Sequence, residues 1–333
     1  MKFTLEYPSD VPHAHPSLFS GASLARISRR AEVCGFDAIC LADHPAPSAK
    51  WYRNGGHDTF EPVVALAFAA AATTSLTLMT NLFVLPFRNP YLAAKQLTTL
   101  DTLSGGRLVA GVGAGYLRSE FAALGVDFDR RAALFDESID ALRRIWTDPS
   151  TPVVGANFGG TGEMRLRETV QRPHPPVWIG GNGAAARRRV ARFGSGWCPV
   201  IADPVVSEAI RTPAIDGVEA FGAAVDDLGD QLERAGRSLS EIEIQVEAPA
   251  VDLEDAASVA RWHRDVDRLR DAGATSLCVH ADARSLAASE EFIDGYRQLI
   301  ARWARPTSRT VGLDGDLRQR SGPTWEFTVD ERD

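Results

Sequence analysis

The chain has 333 residues, 44% hydrophobic and 24% charged, with 36 basic against 44 acidic side chains and a net charge of −8. That is the composition of a soluble globular protein long enough to bury a large core without disulfides. The acidic balance excludes a general nucleic-acid binder, which needs a basic face. The longest apolar run, 63–72, holds ten residues, about half a membrane span, and no long apolar stretch precedes Phe3. Neither a membrane partner nor a signal peptide is expected.

Strand-like and helix-like segments alternate almost to the end. Strands are expected at 3–7, 38–42, 76–85, 107–112, 177–180, 196–200, 242–247 and 276–280. Most are short apolar runs without polar alternation, as in parallel strands buried on both faces. A helical pattern follows each. Leu24, Ile27, Ala31 and Cys34 recur at helical spacing, and Gly35 stands where a left-handed closing residue belongs. Residues 61–74 are alanine-rich. Asn89-Pro90 supplies a cap and a first-turn proline, and Gly105 closes that helix. Phe135, Ile139, Leu142 and Trp146 give the next, and 183–193 the one after. The 205–236 stretch is too long for one ordinary helix, and Pro213 and Gly217 are expected to break it. Val259, Trp262, Val266 and Leu269, then Phe292, Tyr296, Leu299 and Trp303, complete the series.

Eight βα units without a linker predict an α/β fold, a (β/α)8 TIM barrel over 1–305; a doubly wound sheet is the alternative. The remaining 306–333 are a polar C-terminal tail in which Trp325, Phe327 and Val329 alternate like a short strand. A barrel places its active site at the C-terminal ends of the strands.

Several motifs fall there. Asp43-His44 ends the second strand, and a histidine in that position can move a proton near neutral pH; the alternative is a structural histidine. Trp51 and Tyr52 lie in the loop over the barrel mouth, where large aromatics suit the wall of an apolar substrate pocket. Gly111, Gly113 and Gly115 in the fourth strand leave room for a flat ligand, a close backbone approach or tight barrel packing. Their GxGxG spacing is not a dinucleotide fingerprint. Gly180, Gly181, Asn182 and Gly183 form a strand-to-helix turn whose N–H groups suit an anion. Arg187, Arg188 and Arg189 follow it. His13-Ala14-His15 resembles half of a metal site, but the fifth and sixth strands end without histidine, so no metal is expected. Cys34, Cys40, Cys198 and Cys278 form no CxxC pair and read as buried free thiols in a reducing, cytoplasmic setting.

Taken in order, these motifs resemble the bacterial luciferase-like monooxygenase superfamily, and within it the branch of oxidoreductases using the deazaflavin coenzyme F420. The resemblance rests on Ala31-Glu32-Val33-Cys34-Gly35-Phe36-Asp37-Ala38 leading into Asp43-His44. It continues through Leu85-Pro86-Phe87-Arg88-Asn89-Pro90, then Asp101-Thr102-Leu103-Ser104-Gly105-Gly106-Arg107 and Gly111-Val112-Gly113-Ala114-Gly115. Glu120-Phe121-Ala122-Ala123-Leu124-Gly125, Pro175-Pro176-Val177-Trp178-Ile179-Gly180-Gly181 and Gly196-Trp197 complete it. Beyond residue 200 the likeness is architectural.

The resemblance implies a homodimeric barrel with F420, or alternatively FMN, at the strand ends and a small-molecule substrate beside it. His44 would handle the proton. Asp43, Thr80, Asn81, Leu82, Gly115, Tyr116, Ser119 and Glu120 would line the cofactor, and residues 180–183 would hold its phosphate tail. The Asn81–Leu82 peptide would be cis. An FMN-dependent monooxygenase is the rival reading, and a non-catalytic flavin-binding protein the rival from another class. Two departures stand out. Tyr116 sits where the sugar-phosphate dehydrogenases of the superfamily carry an acid. Residues 148–176 are shorter than the lid of the oxygen-using enzymes.

Overall fold

The computed structural model describes residues 1–303 apart from 149 and 165, so the polar tail of 306–333 lies outside the described residues. Nine strand pieces run β1 (Lys2–Glu6), β2 (Ala38–Leu41), β3 (Thr77–Thr80), β4 (Phe83–Val84), β5 (Leu108–Gly113), β6 (Val177–Gly180), β7 (Gly196–Cys198), β8 (Glu243–Glu247) and β9 (Ser276–His280). All pair in parallel in the order β3-β2-β1-β9-β8-β7-β6-β5-β4, and β3 also pairs with β5, which closes the barrel. The continuous strand expected over 76–85 is two pieces, β3 and β4. The ladder is interrupted at Asn81–Leu82, whose peptide bond is cis, so the nine pieces make eight staves.

The helices are α1 (Gly21–Cys34), α2 (Ala49–Arg53), α3 (Pro62–Ala72), α4 (Pro90–Ser104), α5 (Arg118–Ala123), α6 (Arg131–Thr147), α7 (Ala184–Phe193), α8 (Pro204–Ala209), α9 (Gly217–Arg234), α10 (Ala256–Asp271) and α11 (Leu286–Ala301). Their ends follow the punctuation in the sequence. Asn89 caps α4 through its side chain, which accepts the Tyr91 N–H at 2.9 Å, and Gly105 ends it at φ 68°. The long 205–236 pattern breaks into α8 and α9 on either side of Pro213. Among the described residues no helix is long and apolar enough to cross a membrane.

Two cores result. The outer one lies between strands and helices and takes Phe3, Leu5, Ile39, Leu41, Val112, Ile244 and Val279. The inner one fills the barrel with Cys40, Met79, Trp178, Cys198 and Cys278. All four cysteines are free and buried. Leu82 turns inward from the interrupted strand, and glycines face it. A Cβ at Gly180 would overlap Leu82 Cδ1, and one at Gly113 would lie 3.3 Å from Leu82 Cβ. At Gly111 a Cβ would strike the Thr80 carbonyl. The glycines of the fourth and fifth staves therefore serve close packing around Leu82.

The segment between α6 and β6 packs outside the barrel. Asp101 of α4, fully buried, accepts the Val170 N–H at 2.7 Å and the Gln171 Nε2–H at 2.8 Å. Leaving such donors unpaired costs about 1–3 kcal/mol each, so the 169–171 stretch is held on the barrel wall and away from its mouth.

Candidate active site

A cavity of about 590 Å3 opens at the C-terminal ends of the strands. It gathers Asp43, His44, Asn81, Leu82, Gly115, Tyr116, Glu120 and residues 180–183 from four consecutive staves or the segments that follow them.

His44 follows β2. Its backbone N–H donates to Thr59 Oγ1 at 3.1 Å. Its Nδ1 lies 3.3 Å from Glu120 Oε2 and its Nε2 lies 3.3 Å from Tyr116 Oη. Glu120 is 2% exposed and its second oxygen accepts the Ala46 N–H at 3.3 Å. A carboxylate only accepts, so Nδ1 of the neutral imidazole carries the hydrogen and Nε2 is the lone-pair nitrogen, facing the Tyr116 hydroxyl. Burial, and then the Glu120 charge, pushes the Tyr116 phenol up to about 12, so it is a donor near neutral pH. The bonds are long, a common state for catalytic groups before a ligand tightens them. Trp51, expected on the pocket wall, is not among the lining residues and instead packs against His44 and Tyr116. Its ring lies 5.5 Å from His44 and 6.1 Å from Tyr116, and its Nε1–H donates to the His57 carbonyl at 3.1 Å.

The other expected residues take varied places. Asp43, 4% exposed, is pinned by a two-pronged pair with Arg88 at 2.6 and 3.0 Å and accepts the Val84 N–H at 2.8 Å. It anchors the start of the third-stave loop. Thr80 is fully buried and donates to the Gly111 carbonyl at 2.7 Å, behind the cavity wall. Ser119 is exposed on α5, and Tyr52 is 45% exposed on α2; neither lines the cavity. Gly181 N–H is taken by the Cys198 carbonyl at 3.3 Å and Asn182 N–H by Thr212 Oγ1 at 3.0 Å. Asn182 is a strut, its side chain bonding both sides of the Val200 peptide and the Pro213 carbonyl. The N–H groups left for an anion are those at the start of α7, which no side chain caps. Arg187 is tied to Asp227, and Arg189 to Asp136 at 2.5 Å. His15 of the HxH motif accepts the Ser17 N–H at 3.1 Å and caps a short turn.

The opposite wall is lined by Glu6, Asp10 and Glu247, to which the sequence motifs assigned no role. Glu6 ends β1 on its inner side, Glu247 ends β8 and His280 ends β9; Asp10 follows in the first loop. Glu6 is 3% exposed and accepts from Asn81 Nδ2 at 3.1 Å and Cys278 Sγ at 3.3 Å. Burial, and then Asp10, holds its carboxyl well above the usual carboxylate range. His280 Nε2 lies 2.7 Å from Glu247 Oε2, a contact that raises the imidazole to about 9. The available signal was a polar or charged residue at a buried position of a barrel strand: Thr4 and Glu6 in β1, Gln245 in β8. Burial pushes Cys40 and Cys198 upward, and the bond to Cys40 together with burial does the same for Cys278, so the thiols beneath this layer stay protonated and unreactive.

A parallel barrel with a histidine–carboxylate pair at its mouth and an uncapped helix start on the same cavity is the architecture of a cofactor-binding barrel protein. The model of the luciferase-like monooxygenase family matches residues 1–312, and the chain belongs to that family. The F420-dependent glucose-6-phosphate dehydrogenase of Amycolatopsis mediterranei is 27% identical over 224 residues, 65% of each chain. The FMNH2-dependent dimethylsulfone monooxygenase of Pseudomonas putida is 34% identical over 146 residues, 43% of this chain and 40% of its own. The chain thus spans less than two thirds of these curated relatives. Among solved structures, a monooxygenase from Streptomyces bottropensis superposes with a TM-score of 0.71 at 23% identity, covering 91% of this chain and all of its own. An F420-dependent secondary alcohol dehydrogenase in complex with an F420–acetone adduct superposes with 0.68 at 16%, covering 91% and 99%. At such identities the structures speak to the fold.

Proposed function

We propose that the protein is an F420-dependent oxidoreductase acting on a small organic substrate without a phosphate group. The observation that carries this reading is His44, held between Glu120 and Tyr116 on a cavity that continues to the uncapped start of α7. The donor set fits the group: a glycine-lined mouth beside Leu82 for the ring, and helix N–H groups for one phosphate. When bound, the deazaflavin supplies a hydride carrier; the protein supplies position, a proton site and exclusion of water.

The chain's own part is proton handling at His44 Nε2. Glu120 fixes the imidazole with its hydrogen on Nδ1, which leaves Nε2 to accept a proton from a substrate hydroxyl, or to return it in the reverse direction. Tyr116 donates to that nitrogen and gives way to the substrate. The β1/β8/β9 wall bears on substrate class. A phosphate would meet Glu6, Asp10 and Glu247 there, with His280 already paired to Glu247. Together with Tyr116 in place of an acid, this separates the chain's substrate from a sugar phosphate.

Absorbance and fluorescence titrations with F420 and FMN test the reading. F420 is expected to bind at least about tenfold tighter than FMN, a difference near 1.4 kcal/mol. Equal affinity, or tighter FMN, would shift the assignment to a flavin-dependent monooxygenase, the second reading that the Pseudomonas putida relative favours.

A further inference from the structure

Away from the ring end, the cavity reaches a group of arginines that the chemistry above does not use. Phe128, 7% exposed, precedes α6. Three guanidiniums converge on its ring: Arg131 at 4.0 Å, Arg118 at 4.2 Å and Arg211 at 5.4 Å from the centroid. Arg118 pairs with Asp129 at 2.8 Å. Among the described residues, Arg131 and Arg211 have no carboxylate within ion-pair distance; Arg131 donates to the Phe128 carbonyl at 3.2 Å. Both line the cavity, next to the turn at Gly183.

Like charges gathered on one ring repel, while each is attracted to the ring face. Burial and the charges of Arg118 and Arg211 already pull Arg131 below its ordinary value. Arg211 is also held at φ 55°, in the left-handed region that a non-glycine residue seldom occupies. Such backbone persists where the surroundings impose it. The loop thus presents Arg211 at the cavity edge beside Arg131, with Asp129 paired to Arg118.

We infer that the Arg131–Arg211 pair on Phe128 is a docking site for the acidic chain that extends beyond the cofactor's phosphate. The inference rests on the F420 reading proposed above. A phosphate at the α7 start leaves the rest of the tail to run outward past residues 211–213 and the start of α6, where one or two of its carboxylates meet the two guanidiniums. FMN ends at its phosphate and gains nothing from these arginines. The same geometry explains why Arg187 and Arg189, already paired with Asp227 and Asp136, are not needed for the tail.

The test is a fluorescence titration with deazaflavins carrying no glutamate, two glutamates and five glutamates, at low and at about 0.3 M salt, on the wild type, R211Q and R131Q. The expected result is affinity rising about fivefold or more from the shortest to the longest tail at low salt, a gain compatible with one or two exposed ion pairs. High salt should erase the gain, and each variant should reduce it with little change for the tail-less compound. If all three lengths bind alike, or the gain survives in R131Q and R211Q, the docking site is wrong while the F420 reading stands. If no deazaflavin binds and FMN does, the F420 reading fails and the docking site with it.

Discussion

The cavity has two walls, and each has a glutamate paired with a histidine: Glu120 of α5 with His44 after β2, and Glu247 at the end of β8 with His280 at the end of β9. His44 and Glu120 lie 3.3 Å apart with side chains 9% and 2% exposed; His280 and Glu247 lie 2.7 Å apart with side chains 46% and 44% exposed. The closer pair is the less suited to catalysis. His280 meets carboxylates through Nε2, Glu247 at 2.7 Å and Glu6 at 4.0 Å, and is raised to about 9, so near neutral pH it is an imidazolium with no lone pair to offer. His44 is gripped at both nitrogens, by an acceptor and by a donor, and the grip defines which nitrogen receives a proton. The contrast teaches that a short ion pair at a rim is an electrostatic fixture, whereas a longer, dry, two-sided arrangement orients the ring as the proposed proton-handling role requires.

The largest effect should come from breaking the dry wall. His44→Ala is expected to lower kcat by roughly 10²–10⁴, the usual worth of a positioned acid or base, with cofactor affinity within a few fold; unchanged turnover would make His44 structural. Glu120→Gln should cost less, about tenfold to a hundredfold in kcat at nearly constant KM, because Gln can offer an amide hydrogen to Nδ1 and scramble the tautomer. A pH–rate profile that keeps its shape in Glu120→Gln would show that the carboxylate does not set the proton site.

How much of this was legible beforehand follows from which neighbours each residue needs. Strands announced themselves as apolar runs because both faces are buried, and α4 was bounded by Asn89 and Gly105 for local reasons. His44 was visible as a histidine at a strand end. Its partner Glu120 lies 76 residues away, and only the family resemblance placed the two together. The Glu6 wall was not read at all. A charged residue inside a barrel makes sense only once β1, β8 and β9 are adjacent, and no window along the chain contains that fact. The same holds for Arg131 and Arg211. Helices α2 and α5, at five and six residues, are too short to leave a periodic trace.

Two smaller effects would sharpen the contrast from the other wall. Glu6 is a buried acid with a raised folded pKa, so the folded state holds a proton that the unfolded chain gives up near 4.5. Stability therefore falls as pH rises from that value toward the folded one, by at most about 1.4 kcal/mol per pH unit. Glu6→Gln should flatten this slope and raise Tm at pH 8, which thermal melts from pH 4 to 9 would show; a lowered Tm at every pH would mean the charge itself is stabilising. For His280 the folded value lies above the unfolded one. Its contribution is present in full below about 6.5 and is lost as pH rises through about 9. With both partners nearly half exposed, the effect is under about 1 kcal/mol, and Glu247→Gln should remove it from the same melts.

Leu82 gives the barrel a different kind of constraint. One side chain fills the space that glycines of two other staves leave open, so these positions are not independent in inheritance. A methyl group acquired at 180 is harmful while leucine stands at 82 and tolerable once something smaller does. The order of substitutions therefore matters: a side chain at 180 is met either by a shift of the Leu82 side chain or by a smaller residue at 82. Such a lock is epistasis written in van der Waals radii, and it couples what can stand at 82 to what can stand at 180.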